Sequence, residues 1–134
     1  VNLERSLSVG GKMGGHFVQG HIDGVGTVAQ IKAEGEGKMV RFHAPPEVMR
    51  YVVTKGYVGV DGMSLTVVEP DEESFAVAFI PHTLAHTVAQ FYRRGVRVNL
   101  EADVLGKYVE KFIVGRLPTS SGVTQSLLEE AGFV

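Results

Sequence analysis

The stretch KGYVGVDGMSLTV, Lys55 to Val67, gathers Lys55, Asp61, Ser64 and Thr66 around a glycine turn that opens a strand. Hydroxyls two residues apart in a strand share one face, so Ser64 and Thr66 can both hydrogen-bond one flat heteroaromatic ligand. A polar strand end with a satisfied turn is the plainer alternative, and spacing leaves both open. The histidines offer less. His16 and His21 in GGHFVQGH sit an odd number of residues apart, on opposite faces of a strand, with no third ligand nearby, so a shared metal is not expected. His82 and His86 in PHTLAHT have the i, i+4 spacing of a zinc-protease pair, but Thr83 stands where that motif needs Glu. DGVG lacks the strand-loop-helix setting of a phosphate-binding fingerprint. DGMSLT leads into a strand and not a helix, so Ser64 is no nucleophile elbow.

The elements that must position these residues read as mainly β. HFVQGHIDGVGTVAQIKA alternates loosely and predicts one long strand, bent or bulged near Gly24 to Gly26. EGEG turns it back into KMVRFHA, with Val40 and Phe42 on one face and Met39, Arg41 and His43 on the other. PPEVMRYVVT predicts a short helix with Pro45 and Pro46 in its first turn and Val48, Tyr51 and Val52 as an apolar stripe. KGYVGVDG is a strand between glycine turns. MSLTVVE and SFAVAFI, flanking PDEE, predict a hairpin. PHTLAHTVAQFY predicts a second helix opened by Pro81, and GVRVNLEA a last strand. About six strands and two short helices predict a small closed antiparallel barrel.

Beyond the barrel the period becomes helical. Val104, Tyr108, Val109, Phe112, Ile113 and Leu117 form one stripe, opposite Lys107, Glu110, Lys111 and Arg116. LPTSSG reads as a hinge and VTQSLLEEAGF as a terminal helix stopped by Gly132. The stripe can fold over an open end of its own barrel or pack on another subunit.

Composition sets the limits. With 44% hydrophobic and 21% charged residues, the 134-residue chain has an ordinary globular composition and can bury one core, about 70% of its unfolded surface. A net charge of -2 gives no electrostatic reason to expect nucleic acid or an anionic membrane. No apolar run reaches the roughly 18 residues of a membrane span. The absence of cysteine excludes disulfides and thiolate zinc sites. Seventeen glycines between short apolar runs suit the turns of a β protein.

VNLE occurs twice, at Val1–Glu4 and at Val98–Glu101, about one small domain apart. A repeat of that length predicts domain duplication, with the first copy closing a preceding domain.

Taken together in this order, GGHFVQGHIDGVG, KGYVGVDGMSLTV, FIPHTLAHT and VNLEADVLGKYVEK resemble the alpha-type riboflavin synthase family over nearly all of residues 11–111. The resemblance implies two tandem six-stranded Greek-key barrels followed by a C-terminal helix, assembled as a homotrimer. Residues 1–10 would then end an N-terminal barrel and its linker. Residues 11–103 would form a lumazine-binding barrel, and 104–134 C-terminal helices that serve oligomerisation. The implied reaction is a dismutation of two 6,7-dimethyl-8-ribityllumazine molecules to riboflavin and 5-amino-6-ribitylamino-pyrimidinedione, with no metal or redox cofactor. One ring lies on the N-terminal barrel of a neighbouring subunit and the other on this barrel. Matched by motif, the substrate-binding residues would be Gly20, His21 and Ile22, Lys55, Ser64, Leu65 and Thr66, then Phe79, Ile80, Pro81, His82, Thr83 and Leu84. His21, Ser64 and Asp103 would serve catalysis, with His16 and Asp61 in support. Gln19 stands where the family often has Ser, and the preceding barrel would carry a Cys-bearing counterpart of DGMSLT. The implied location is the cytoplasm, or the plastid in a plant. Two rivals come with the resemblance. Lumazine proteins bind the ligand without turnover, and flavin reductases add a nicotinamide-binding domain to a related barrel.

Overall fold

A computed structural model describes residues 1–114 and 125–132. Six strands make one antiparallel sheet: β1 Gly24–Glu34, β2 Gly37–His43, β3 Tyr57–Val60, β4 Met63–Thr66, β5 Ser74–Phe79 and β6 Arg97–Ala102. Their order is β4-β3-β6-β1-β2-β5, and the non-sequential neighbours give the predicted Greek-key character. The sheet then closes on itself. Past the end of β4, Val68 exchanges both main-chain hydrogen bonds with Ala76 of β5, each 2.8 Å, joining the two outer strands into a barrel.

Alternation decides what faces inward. Val40 and Phe42 of β2, Val58 and Val60 of β3, Met63 and Leu65 of β4, and Val98 and Leu100 of β6 are buried. Phe42, Phe75, Phe79 and Tyr92 form an aromatic cluster at the centre, with Phe42 and Tyr92 edge to face at 5.9 Å. Helix α1, Pro46–Met49, opens on proline as expected and drives Val48 into the core. The second predicted helix breaks in two. Helix α2 spans Pro81–His86, Thr87 is extended, and a 3-10 turn over Val88–Phe91 buries Ala89.

Three local expectations need correction. The long strand from His16 does not form, because the sheet begins only at Gly24. Residues before it leave the ladder at Gly20, whose φ is +75, and the main-chain N–H groups of Gln19 and Gly20 bond to the Glu101 carboxylate instead. The bulge lies at Ala29, where the β1–β2 register shifts, and not at Gly24 to Gly26. It turns Ile31 inward opposite buried Val40. Gly26 is needed for close approach, since a Cβ there would lie 2.7 Å from both His43 O and Leu100 Cδ1. Finally, β4 and β5 are not a hairpin. β4 pairs along its length with β3 and β5 with β2, and among the described residues the main-chain bridge between this segment and β5 lies past the end of β4, at Val68–Ala76.

Helix α3, Val104–Val114, follows β6 directly, with the Asp103 carboxylate accepting the Leu105 N–H at 3.0 Å. Its polar side holds it to its own barrel: Tyr51 donates to Glu110, Arg50 pairs with Glu110, and Lys107 pairs with Asp23. Tyr108, Phe112 and Ile113 stay more than half exposed. Helix α4 spans Gln125–Glu130, and Gly132 takes the expected positive φ of +76 just after it. The expected hinge at 117–122 lies outside the described residues, as does Leu117 of the stripe. No helix among the described residues is long and apolar enough to cross a membrane.

Candidate functional site

The β3–β4 connection is a two-residue turn, Asp61–Gly62, with positive φ at both positions (47° and 81°), as a type I′ hairpin requires. Asp61 can hold that conformation because its carboxylate is tied down on both sides. One oxygen accepts the Asn99 N–H at 2.8 Å and the other the Tyr92 hydroxyl at 2.6 Å. Burial pushes the Tyr92 phenol well above its usual range, and the Asp61 carboxylate beside it pushes further. Asp61 is therefore a fixed corner of the barrel, and it sets where β4 begins.

From that corner β4 alternates strictly. Met63 and Leu65 face the core; Ser64 and Thr66 face out and are exposed. The main-chain groups of Val67 pair with Lys55 and Gly56 on the β3 side, whereas those of Val68 pair with Ala76 on the β5 side. By the same alternation the N–H and C=O groups of Ser64 and Thr66 point towards β5. Continuing the Val68–Ala76 register would set Thr66 against Ala78 and Ser64 against Ile80, but no ladder forms there. The barrel wall thus has a slit. Two hydroxyls and an unpaired strand edge stand on one side of it, and exposed Ala78 and Ile80 lead into α2 on the other.

A strap formed by residues 14–20 crosses the outside of the barrel beside this slit. His16 Nδ1 lies 2.7 Å from Ser64 Oγ, and its main-chain N–H donates to the same oxygen at 3.3 Å. The imidazole stacks on Tyr57 at 5.3 Å between ring centres, nearly parallel. Its Nε2 is buried with no hydrogen-bond partner among the described residues. Burial lowers the His16 pKa below its usual value, while the charges of Asp103 and Glu101 pull weakly the other way. Gly15 has no room for a side chain, because a Cβ there would collide with Ser64 Oγ. A cleft of about 1140 Å³ opens between the strap, the N-terminal residues, the start of β4 and the end of α2, with Asn2, His16, Gly20, Ser64 and Val88 among its lining.

The residues expected at the site divide into groups. Ser64, His16 and Gly20 share the cleft, and Thr66 stands on the same face of β4 as Ser64. His21 and Ile22 are exposed and continue the strap towards β1. Ile80, Pro81 and His82 are exposed on the far side of the slit, while Thr83 and Leu84 are half-buried. Leu65 and Phe79 point their side chains into the core, and their main-chain groups face the β3 and β2 ladders, so they shape the two walls of the slit from behind. Lys55 is exposed in the turn before β3, with φ +63. Asp103 lines a second cleft, of about 450 Å³, between β3 and α3 with Tyr57 and Val109. His82 and His86 stack at 4.2 Å, and His86 Nδ1 donates to the His82 carbonyl. Among the described residues no three His, Asp or Glu side chains come together as a metal-binding group. Sequence reasoning missed Glu101, whose burial on an outward strand position has no local signal, and Tyr92, whose partner lies thirty-one residues away.

Compared with known protein families, residues 19–103 match the model of the lumazine binding domain. The chain belongs to the lumazine-binding-domain family. The matched span starts on the strap and ends at Asp103, so this lumazine-binding domain comprises the strap's last residues as well as all six strands. The chain is 43% identical over 135 residues to the riboflavin synthase of Actinobacillus pleuropneumoniae, covering 99% of this chain and 63% of that protein. It is 35% identical to the riboflavin synthase of Bacillus subtilis with the same coverage, and 44% identical over 116 residues to that of Mycobacterium tuberculosis, covering 84% of this chain and 58% of that protein. It thus spans under two thirds of the length of these curated relatives. Among solved structures, LumP complexed with 6,7-dimethyl-8-(1'-D-ribityl) lumazine superposes with a TM-score of 0.62 at 22% identity, over 67% of this chain and 51% of that one. LumP complexed with riboflavin gives a TM-score of 0.62 at 24% identity, over 69% and 50%. At that identity the likeness is one of fold.

Proposed function

We propose that the domain binds one 6,7-dimethyl-8-ribityllumazine in the slit between β4 and β5, as one half of a riboflavin synthase site. The observation that carries this is the pairing of two hydroxyls, Ser64 and Thr66, with an unpaired strand edge on one exposed face. A pteridine ring presents alternating carbonyl and N–H groups along one edge, which matches what an unpaired strand offers. The side chains and the unpaired main-chain edge of Ser64 and Thr66 then hold the ring, Leu65 and Phe79 anchor the two flanking strands in the core behind it, Ile80, Pro81, His82, Thr83 and Leu84 close its far side, and Gly20, His21, Ile22 and Lys55 its near rim. The 43% identity to a riboflavin synthase supports the same reading.

The reaction draws on the acidity of the ring methyl at carbon 7, whose carbanion is delocalised into the pteridine. The protein therefore has two tasks, to stack two flat rings and to move protons. His21, exposed just past the end of the strap, takes the proton-handling role, with Ser64 and Asp103 as further polar groups and His16 and Asp61 behind them. The second ring comes from an N-terminal barrel of a neighbouring subunit. In this organisation residues 1–10 end an N-terminal barrel of the same chain and its linker, 11–103 form this barrel, and 104–134 hold a homotrimer together in the cytoplasm. The reading is tested by mixing the intact protein with the lumazine and following riboflavin fluorescence. Riboflavin and the pyrimidinedione should appear in equal amounts. Ligand binding without turnover, the behaviour of a lumazine-binding carrier, is favoured by the fold shared with LumP and predicts tight binding with no riboflavin formed. Failure to bind the lumazine at all would overturn both.

A further inference from the structure

Glu101 lies on the outward side of β6, in the same alternation as exposed Arg97 and Asn99, yet it is only 4% exposed. The strap covers it. Its two carboxylate oxygens accept the main-chain N–H of Gln19 at 2.6 Å and of Gly20 at 2.9 Å. No lysine or arginine among the described residues pairs with it. A carboxylate removed from water that faces two peptide N–H groups is held by charge-assisted bonds, stronger than neutral ones.

Its position gives the contact a purpose. Gly59 of β3 is the register partner of Ser64 on β4 and of Glu101 on β6, so the three residues form one row across the outside of the barrel. The strap is fastened at both ends of that row, His16 to Ser64 and Gln19–Gly20 to Glu101. Gly59, between them, presents no side chain, and a Cβ there would lie 3.1 Å from Glu101 Cβ. The residues displayed just beyond the second fastening are His21 and Ile22.

We infer that Glu101 is a positioning residue for the ligand site: it pins the end of the strap and thereby fixes His21 and Ile22 relative to Ser64. The inference rests on the lumazine reading above. Glu101 itself touches no ligand atom; it acts through the Gln19 and Gly20 amides.

The test uses the intact protein with Glu101→Gln and Glu101→Asp. Glutamine keeps the volume but turns an NH2 towards one of two N–H groups, so one bond is lost. Amide hydrogen exchange at Gln19 or Gly20 should become at least about tenfold faster, while the β6 ladder amides Val98 and Leu100 keep their protection. Lumazine affinity, read by fluorescence titration, should fall by roughly tenfold. Glu101→Asp retains the charge and should return affinity to within about threefold of wild type, which a merely structural role would not require. If Glu101→Gln does not fold, Gly59→Ala, which crowds Glu101 without removing its carboxylate, is read the same way. Unchanged exchange at Gln19 and Gly20, or faster exchange with wild-type affinity, overturns the inference and leaves the lumazine reading intact. Wild-type protein that fails to bind lumazine overturns that reading, and the inference with it.

Discussion

His16 and Ser64 are forty-eight residues apart in the chain and joined at 2.7 Å across the candidate site, with the imidazole sandwiched against Tyr57. Burial depresses the His16 pKa, so the folded protein holds this ring neutral where the unfolded chain would protonate it. The unfolded state therefore binds more protons below the usual His value of 6.5, and stability falls as pH drops through that value towards the lower folded one. We expect lumazine affinity to weaken along with it, because a charged ring buried against Tyr57, with no partner for its Nε2 among the described residues, disfavours the closed position of the strap. A titration of the His16 ring by NMR should give a midpoint below 6.5. A midpoint at or above it would show that the ring is not held as described.

Ser64→Ala removes a hydrogen bond to a neutral ring, worth about 0.5 to 1.5 kcal/mol. Lumazine binding should weaken by roughly tenfold at most, with a smaller change in rate. Loss of a general acid or base costs on the order of 100-fold or more, so His21→Gln should lower turnover far more than affinity. Steady-state kinetics of the two variants separate binding from proton handling. Full activity in both, with lowered thermal stability, would make these residues structural.

Tyr92→Phe deletes the hydroxyl that Asp61 accepts at 2.6 Å. A hydrogen bond to a charged partner is worth about 1.5 to 3 kcal/mol, and denaturant unfolding should register a loss in that range. The raised phenol pKa adds a signature at the alkaline end. The unfolded tyrosine ionises near its usual 10 while the folded one does not, so wild-type stability should decline as pH rises above that value. The Phe variant should lack that part of the decline.

Helix α3 presents Tyr108, Phe112 and Ile113 at 57%, 65% and 56% exposure, with its polar side already engaged by Tyr51 and Asp23. An apolar face of this kind fits the proposed subunit contact. In the intact protein, Phe112→Glu should lower the mass seen in sedimentation, and removal of residues 104–134 should lower it to that of a monomer. An unchanged assembly would mean that the helix serves only its own barrel.

Much of this was legible in the residues because it depends on local rules. Asp61–Gly62 announces a tight turn through residue types that tolerate positive φ, and two hydroxyls at i and i+2 must share a face of β4. What alternation cannot reveal is the partner of a main-chain group. His16 to His21 alternates like a strand, yet its amides at Gln19 and Gly20 find Glu101, more than eighty residues away, and not a ladder. The PDEE loop between two alternating runs suggested a hairpin for the same reason. Pairing is a property of the closed barrel, which prefers β2 as the neighbour of β5 along its whole length. The bulge was misplaced because glycine marks both bulges and close approaches. Only the packed neighbours of Gly26, His43 and Leu100, tell which one applies.

The single bridge between Val68 and Ala76 makes the barrel a tube slit along part of its length. Arg41, the register partner of Ala76 on β2, fastens the seam from outside by donating to Glu69, Asp71 and Ser74 at 3.0 to 3.2 Å. A slit tube twists more easily than a closed one. A flat ligand bridging the main chains of β4 and β5 would supply the missing rungs, so recognition and torsional stiffening would be one event. Part of the binding free energy would then go into ordering the wall, and a loosely held ring in a compliant groove would become a ring held square in a rigid one, the condition for stacking a second ring against it.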